Sequence, residues 1–240
     1  AIKFVKPTGQ DTNNGNSWAT AYRTPQKAID EAKAGDSVYI AAGTYRPEVT
    51  PALIHAEPKT RTFFINKDLR IYGGFPATGN PAFPDRDPQA NPTILSGNLG
   101  NDRTYHVVWL RQLPATSILD GFTIRDGSAT FFEQTEGGSG GGIYNESSIP
   151  ENPITSNPTI SNCIFIQNVA FNGGAIFNDA LGFGGASPTI INCTFINNDA
   201  IKQGGAIYNE GRFGTAPASP TIINCLFSGN HAQFGGAITN

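Results

Sequence analysis

The sequence has little charge, little cysteine and no long apolar run. Charged residues make up 15% of the 240 residues, and methionine is absent. This scarcity of Glu and Lys argues against a helical bundle, and a net charge of −3 without a basic run predicts no nucleic acid partner. No stretch approaches the roughly 20 apolar residues that a membrane span needs, so we expect no membrane span.

The three cysteines exclude the usual cysteine-based sites. Their number is odd, and their spacing fits neither a zinc site nor a Cys-x-x-Cys motif. We therefore predict no metal site and no cofactor, while calcium binding by the loops stays open. Because the chain opens with Ala1 and contains no Met, we expect a mature secreted protein from which a signal peptide has been removed.

The most informative feature of the sequence is an internal repeat. Segments 158–168, 188–198 and 220–230 align without gaps, and each is followed by Gly-Gly-Ala-Ile, at 173–176, 204–207 and 235–238. An earlier, degenerate copy runs from Ile118 to Asp126, with Gly121 where the later copies have Cys. This alignment places Asp120 opposite Asn162 and Asp126 opposite Asn168. The period of roughly 31 residues indicates a solenoid.

The apolar runs within each repeat are short, β-branched and broken by Asn, Gly and Pro, which is typical of strands and turns. The sequence therefore predicts an all-β fold, a right-handed parallel β-helix with three strands per coil that pair with their equivalents in the next coil. We expect a single domain, with an N-terminal cap and first coil at 1–48, irregular coils with long loops at 49–114 and regular repeats at 115–240. A capping α-helix is predicted over 24–34, between an N-cap at Thr24 and a stop at Gly35.

Alternation along the strands predicts columns of identical residues that run along the rod. Ile, Cys and Phe are expected in the interior, and Asn at a corner, where it tolerates left-handed dihedrals. We expect the cysteines to be small buried hydrophobes, and the spacing of adjacent coils leaves one disulfide between two of them open. The columns are Ile160, Ile190 and Ile222; Cys163, Cys193 and Cys225; Phe165, Phe195 and Phe227; and Asn162, Asn192 and Asn224.

A further column of aromatic residues is predicted on the outside of the rod. Tyr144, Phe177 and Tyr208 follow the glycine pairs at the same phase of the repeat. Such a surface column either stacks against sugar rings or covers the sheet, and the second interpretation is favoured.

The repeats resemble a known family. The Gly-Gly-Ala-Ile and Phe-x-x-Asn signatures, the latter at 165–168, 195–198 and 227–230, are similar to the repeats of the chlamydial polymorphic outer membrane proteins, which are surface adhesins. The first half, including 14–22, 42–45 and 120–124, resembles large secreted bacterial proteins with a pectate-lyase-like β-helix. The resemblance implies this fold and a place at or outside the bacterial cell surface.

The pectate-lyase-like fold also carries polysaccharide lyases and hydrolases, so catalysis has to be judged from residues. Carbohydrate chemistry needs convergent carboxylates, or calcium with a basic residue. The weak candidates for catalytic residues are Asp102, His106, Asp120 and Arg125, in a wider cluster with Asp85, Arg86, Asp87, Arg103 and Asp126. On the alternative interpretation, Asp120 and Asp126 occupy turn positions and the other charges lie in solvated loops. His55, His106 and His231 are expected to be isolated surface or wall residues.

We therefore expect a non-catalytic, extracellular structural or adhesive protein, with a polysaccharide-active enzyme as the alternative. Its expected partners are a cell-surface or glycan ligand and other copies of the chain. The sequence stops at Asn240 directly after the last Gly-Gly-Ala-Ile, and an open coil end invites pairing with another chain. We expect either a longer rod or end-on assembly into oligomers or filaments.

Overall fold

The computed structural model describes residues 1–53, 56–130, 138–147, 154–180, 184–211 and 217–240. Over these ranges the chain forms a parallel β-solenoid of about seven coils with one short helix, which confirms the predicted pectate-lyase-like β-helix. No single coil can bury its own short strands, so each is stabilised by the coils on either side.

The elements follow one another coil by coil. Coil 1 contains β1 (Ile2–Val5) and α1 (Pro25–Glu31); coil 2 contains β2 (Ser37–Ala41), β3 (Gly43–Tyr45) and β4 (Phe63–Ile65); coil 3 contains β5 (Arg70–Phe75), β6 (Thr93–Ser96) and β7 (Val108–Arg111). Coil 4 contains β8 (Ile118–Asp120), β9 (Phe122–Arg125), β10 (Ser128–Ala129) and β11 (Ile143–Glu146). Coil 5 contains β12 (Thr159–Ser161), β13 (Ile164–Ile166), β14 (Val169–Asn172) and β15 (Ile176–Asp179). Coil 6 contains β16 (Thr189–Ile191), β17 (Thr194–Ile196), β18 (Asp199–Gln203) and β19 (Ile207–Glu210); coil 7 contains β20 (Thr221–Ile223), β21 (Leu226–Ser228), β22 (His231–Phe234) and β23 (Ile238–Thr239). One-turn 3₁₀ helices, Pro58–Thr60 and Phe83–Asp85, lie in the loops of coils 2 and 3.

Equivalent strands form four parallel sheets along the rod. Sheet 1 has the order β1-β2-β5-β8-β12-β16-β20, sheet 2 β3-β6-β9-β13-β17-β21, sheet 3 β10-β14-β18-β22 and sheet 4 β4-β7-β11-β15-β19-β23. The regular coils thus have four strands, where the sequence predicted three. Sheet 3 escaped prediction because in each of β14 and β18 the only fully buried side chain is an alanine, Ala170 and Ala200. One small apolar residue leaves no alternating pattern to detect.

The α-helix α1 covers the N-terminal end of the rod. Its Ala28 and Ile29 are buried against the core, and the helix contacts β1, β2 and β4. The amide of Gln26 accepts a hydrogen bond from Phe64 N at 2.9 Å and donates one to Phe64 O at 3.1 Å. These bonds occupy the free edge of β4, which would otherwise expose unpaired backbone groups.

The bounds and the cap of this helix differ from the prediction. The helix ends at Glu31 rather than at residue 34, because Ala32 is already extended. Gly35 has a positive φ of 86° but lies beyond the helix, where its N–H donates to Asp68 O. Thr24 stands at the N-cap, yet its hydroxyl donates to Asp11 Oδ2 at 2.8 Å instead of capping the helix.

The degenerate copy in coil 4 aligns one residue away from the predicted register. In sheet 1, Asp120 pairs with Ser161, so Gly121 rather than Asp120 occupies the corner position of Asn162. Likewise Arg125 pairs with Ile166, which places Asp126 opposite Gln167 and not opposite Asn168. The corner requires a positive φ, 81° at Gly121 and 51° at Asn162, and Gly and Asn are the residues that adopt it readily. Chemical likeness between Asp and Asn was therefore the wrong guide to the alignment.

Candidate functional site

Interior columns form the core of the regular coils. Phe165, Phe195 and Phe227 stack with ring centroids 4.8 and 4.7 Å apart and interplanar angles of 5° and 3°. Ile160 pairs with Ile190 and Ile190 with Ile222 in the same way. The members in coils 5 and 6 are buried, whereas Ile222, Cys225 and Phe227 in coil 7 are half-buried.

The three cysteines lie in one of these columns as free thiols. Cys163 and Cys193 are 1% exposed, and each thiol lies against backbone carbonyl oxygens. The pKa of the Cys193 thiol is raised by its hydrogen bond with Cys163 and by burial, and burial raises the pKa of Cys225. A raised pKa keeps a thiol protonated, and the thiolate is the reactive form. Their place in one interior column makes all three cysteines packing groups, with Cys225 half-buried in coil 7.

The corner ladder of asparagines runs along the surface of the rod. Asn162, Asn192 and Asn224 have positive φ values of 51°, 53° and 50°. Asn224 Nδ2 donates to Asn192 Oδ1 at 2.7 Å, and Asn192 Nδ2 donates to Asn162 Oδ1 at 3.4 Å. Every amide in the ladder thus donates toward the N-terminal end of the rod.

This ladder ends on Asp120, which is one of the weak catalytic candidates. Its Oδ2 accepts hydrogen bonds from Asn162 Nδ2 and from the Ser161 hydroxyl, both at 2.6 Å. Its Oδ1 forms a salt bridge with Arg86, and the side chains are 8% and 12% exposed. Arg86 also donates to Gly73 O and lies over the ring of Tyr72 at 5.3 Å. Asp120 therefore holds the loop between β5 and β6 against the rod.

Two further asparagine ladders, buried in coils 4 to 6, were not identified as ladders from the sequence. In one, Asn168 donates to Asn198 at 3.0 Å and Asn198 to Asn230 at 2.9 Å. In the other, on sheet 4, Nδ2 of each residue donates to Oδ1 of the next at 3.0, 2.7 and 2.6 Å, through Asn145, Asn178, Asn209 and Asn240. The recurring Asn after each aromatic of the Gly-Gly-Ala-Ile segments was the available signal. A buried amide has to be hydrogen-bonded, and stacking coils supply the partner.

The predicted aromatic column exists, but its members are largely covered. Tyr144 and Phe177 stack at 5.6 Å, and Phe177 and Tyr208 at 5.5 Å. Phe177 is 4% and Tyr208 7% exposed, so neither ring is available to stack on a sugar. His106 lengthens the column: it is 6% exposed, stacks on Tyr144 at 5.0 Å and places Nδ1 3.0 Å from Gly140 O. This burial agrees with the favoured interpretation, in which the column covers the sheet, and disagrees with rings that stack on sugars.

The other charges of the predicted cluster lie apart from Asp120. Asp85 accepts from Ala82 N, and Asp87 from Gln89 N and Ala90 N, so both stabilise turns of the loop that carries Arg86. His231 is exposed and lies 3.0 Å from Asp199. His55 lies outside the described residues.

A second group of the candidates meets at the corner between sheets 2 and 3. Arg125 and Asp126 form a salt bridge of 2.8 Å, and Asp126 also accepts from the Ser96 hydroxyl at 2.9 Å. Arg103 donates to three carbonyl oxygens, those of Asp126, Gly127 and Gln167, at 2.8, 3.1 and 2.7 Å. Burial lowers the pKa of Arg103. These bonds join the loop of coil 3 to coils 4 and 5.

Beside this corner lies an open pocket of about 460 Å³. Asp102 lines it and forms a salt bridge of 3.4 Å with Lys59. Its other lining residues are polar or small: Asn98, Gly100, Asn101, Arg103, Tyr105, Asp126, Ser128 and Thr130. Asp102 is thus the one weak catalytic candidate among the described residues that stands in a cavity, whereas Asp120 and His106 are buried in packing contacts and Arg125 does not line the pocket.

Neither a metal-binding cluster nor a membrane-spanning helix is found among the described residues. No group of three or more His, Cys, Asp or Glu side chains has the geometry to hold a metal ion. Within the same ranges, no helix is long and apolar enough to cross a membrane.

Comparison with known proteins gives two family matches. Residues 7–231 match the family described as protein of unknown function (DUF1565). Residues 224–240 match the Chlamydia polymorphic membrane protein repeat, which agrees with the resemblance noted in the sequence. No curated protein matches the chain.

Among solved structures, a protein titled rhamnogalacturonan lyase is similar over the whole chain. The TM-score is 0.53 at 16% sequence identity, and the match covers 100% of this chain and 62% of the lyase. At this identity the likeness shows the β-helix fold. The chain spans 62% of the length of that protein.

Proposed function

We infer that this chain, which belongs to the DUF1565 family, is an adhesive or structural β-helix at the surface of a bacterial cell or outside it. The polymorphic membrane protein repeat at 224–240 supports a surface role. A stack of coils offers a long, rigid surface, and such extended surfaces are how solenoid proteins bind their partners.

The observation that carries this proposal is that the candidate catalytic side chains are engaged in salt bridges and hydrogen bonds within the fold. Asp120 is held by Arg86, Ser161 and Asn162, and Asp126 by Arg125 and Ser96. Each of these groups joins neighbouring coils or binds a loop to the rod. A polar group whose hydrogen-bonding capacity is used in this way stabilises a scaffold and is poorly placed to exchange protons with a substrate.

The test is retention of the purified chain on surfaces. The unaltered chain is expected to bind immobilised bacterial or plant polysaccharides or intact cells, without shortening any polysaccharide in size-exclusion chromatography. A chain that shortens a polysaccharide, or that is retained on none of these surfaces, contradicts the proposal.

The alternative function is a polysaccharide-active enzyme, and the pocket around Asp102 is the observation in its favour. Asp102 and Lys59 together supply a carboxylate and an ammonium group in an open cavity. If the chain is an enzyme, Asp102→Asn should abolish polysaccharide cleavage, since an amide can neither accept nor deliver the proton. The matched control is Asp85→Asn, because that carboxylate lies in a loop and does not line the pocket. Cleavage that survives Asp102→Asn removes the pocket from consideration as an active site.

We also propose that the chain self-associates through coil 7, with the last coil of a second copy as the occupant. The interior residues Ile222 and Phe227 are half-buried there, whereas the equivalent Ile190 and Phe195 of coil 6 are fully buried. Coils 5 and 6 bury the equivalent interior residues by pairing with the next coil, and the strand edges of coil 7 that face away from coil 6 offer backbone donors and acceptors to a second copy. At the other end of the described rod, α1 covers the first coil.

Proline at the exposed edge should prevent this association. His231 N–H donates back to Asn198 O at 3.0 Å, so by strand alternation the N–H of Ala232 points away from coil 6. Ala232→Pro removes that donor and is expected to give monomers, whereas the unaltered chain and the neighbouring control Gln233→Ala give dimers in multi-angle light scattering. A monomeric unaltered chain at every concentration contradicts the proposal.

A further inference from the structure

The pocket around Asp102 is formed by three separate segments. The hairpin between β6 and β7, closed by an antiparallel bridge between Asn98 and Arg103, forms one wall. Lys59, in the 3₁₀ helix of coil 2, forms the second, and Asp126 with the start of sheet 3 forms the third. With a volume of about 460 Å³, the pocket lies within the ~300–1,000 Å³ typical of small-molecule sites.

Internal hydrogen bonds hold these walls in place. Asn98 Oδ1 accepts from Gly100 N at 2.8 Å, and Asn98 N donates to the Ser96 hydroxyl at 3.2 Å. Tyr105 N donates to Lys59 O at 2.8 Å, which ties the hairpin segment to coil 2. Arg103 is held by its three carbonyl partners. A pocket whose walls are already ordered loses little conformational entropy on binding.

The groups that remain available are of mixed type. Asp102 Oδ1 is occupied by Lys59 and Arg103 N, but within the described residues Oδ2 has no partner. The Nη1 group of Arg103 is likewise without a partner among the described residues, while Asn101 and Ser128 add an amide and a hydroxyl. The lining therefore offers both acceptors and donors, which suits a ligand with several adjacent hydroxyl groups.

An aromatic ring completes the pocket. Tyr105 lines it, and its hydroxyl donates to Glu57 Oε1 at 2.9 Å, which fixes the orientation of the ring. Burial and this carboxylate raise the pKa of Tyr105 to about 12, so the ring stays neutral at physiological pH. The apolar face of a sugar ring packs on such a surface, with its hydroxyls free for polar neighbours.

The charge balance selects among hydrophilic ligands. The lining holds two cations, Lys59 and Arg103, and two carboxylates, Asp102 and Asp126. A phosphate or nucleic acid ligand would require an excess of positive charge, and an apolar ligand would require apolar walls. We propose that this pocket binds a neutral hexose unit of an oligosaccharide, which deepens the proposed adhesive function and rests on it.

The experiment is isothermal titration calorimetry of the full chain with neutral gluco-, manno- and galacto-tetrasaccharides, and with tetragalacturonate as the acidic comparison. At least one neutral tetrasaccharide is expected to bind, with tetragalacturonate weaker. Asp102→Ala and Asn101→Ala should each raise the Kd by about tenfold, because each removes hydrogen bonds to hydroxyls. Asp199→Ala, an exposed carboxylate on coil 6 that is not in the pocket, should leave the Kd unchanged.

The outcomes separate this inference from the adhesive function. No binding of any neutral tetrasaccharide, tighter binding of tetragalacturonate, or a Kd unaltered in both Asp102→Ala and Asn101→Ala overturns the pocket assignment. If Asp102→Ala then still binds cells or polysaccharides as the unaltered chain does, the adhesive function stands and is located elsewhere on the rod. Thermal unfolding of each variant verifies that a lost signal reflects the pocket and not a lost fold.

Discussion

Phe195→Ala is expected to lower the free energy of unfolding by about 3–5 kcal/mol, the range for removal of a buried Phe side chain. Phe195 is 0% exposed and is stacked between Phe165 and Phe227. The parallel ladders on both sides set the spacing of the coils, so the chain cannot collapse into the space that the ring leaves. Urea denaturation followed by circular dichroism measures the loss.

Two controls accompany this variant. Phe227→Ala removes the half-buried member of the same stack, and a smaller loss is expected because less of that ring is removed from water. Leu226→Ala changes a side chain that is 59% exposed on the next strand position, and its effect should lie within about 0.5 kcal/mol. Equal losses for Phe195→Ala and Leu226→Ala would mean that the phenylalanine column is not the core.

Asp120→Ala is the second large effect, with an expected loss of about 3–5 kcal/mol. The change leaves the buried Arg86 without its counter-charge and removes the acceptor of Ser161 and Asn162. The loop between β5 and β6 would then carry an uncompensated charge against the rod. Denaturation in urea gives the magnitude, and limited proteolysis within 76–92 should become faster.

A double variant shows whether the lost stability comes from the unpaired charge of Arg86 or from the loss of other contacts. Asp120→Leu combined with Arg86→Met removes both charges and should recover a large part of the stability lost in Asp120→Leu alone, because no ion remains buried. Asp199→Ala breaks an exposed pair with His231 and should cost about 0–1 kcal/mol. A double variant as unstable as the sum of its single changes would show that the pair is not coupled.

Local pattern was enough to predict much of the regular half. The phase of Ile160, Cys163 and Phe165 within one repeat, together with their recurrence, places them in the interior, since alternation sends every second side chain of a strand inward. The Asn at the corner is equally local, because its left-handed conformation depends on its own backbone.

Pattern failed where a residue is defined by a distant partner. Asp120 was aligned with Asn162 by chemical likeness, and its salt bridge with Arg86, 34 positions earlier in a loop without periodicity, could not be predicted at all. The pocket likewise joins Lys59 to the hairpin of coil 3. None of these contacts can be predicted from the residue spacing within either of the two segments that meet.

The amino-acid sequence by itself determined that this chain stacks coils of roughly 31 residues, because a short strand with one apolar face is stable only against its own copy. It also determined which side chains form the interior columns, through the two-residue alternation of strands. Only the tertiary structure decided the fourth sheet, the offset of coil 4, the asparagine ladders that run in opposite directions, and the grouping of charges into a loop anchor and a pocket. The reason is that a repeat predicts contacts between equivalent residues of neighbouring coils. The contacts of a loop depend instead on which residues the folded coils place next to it.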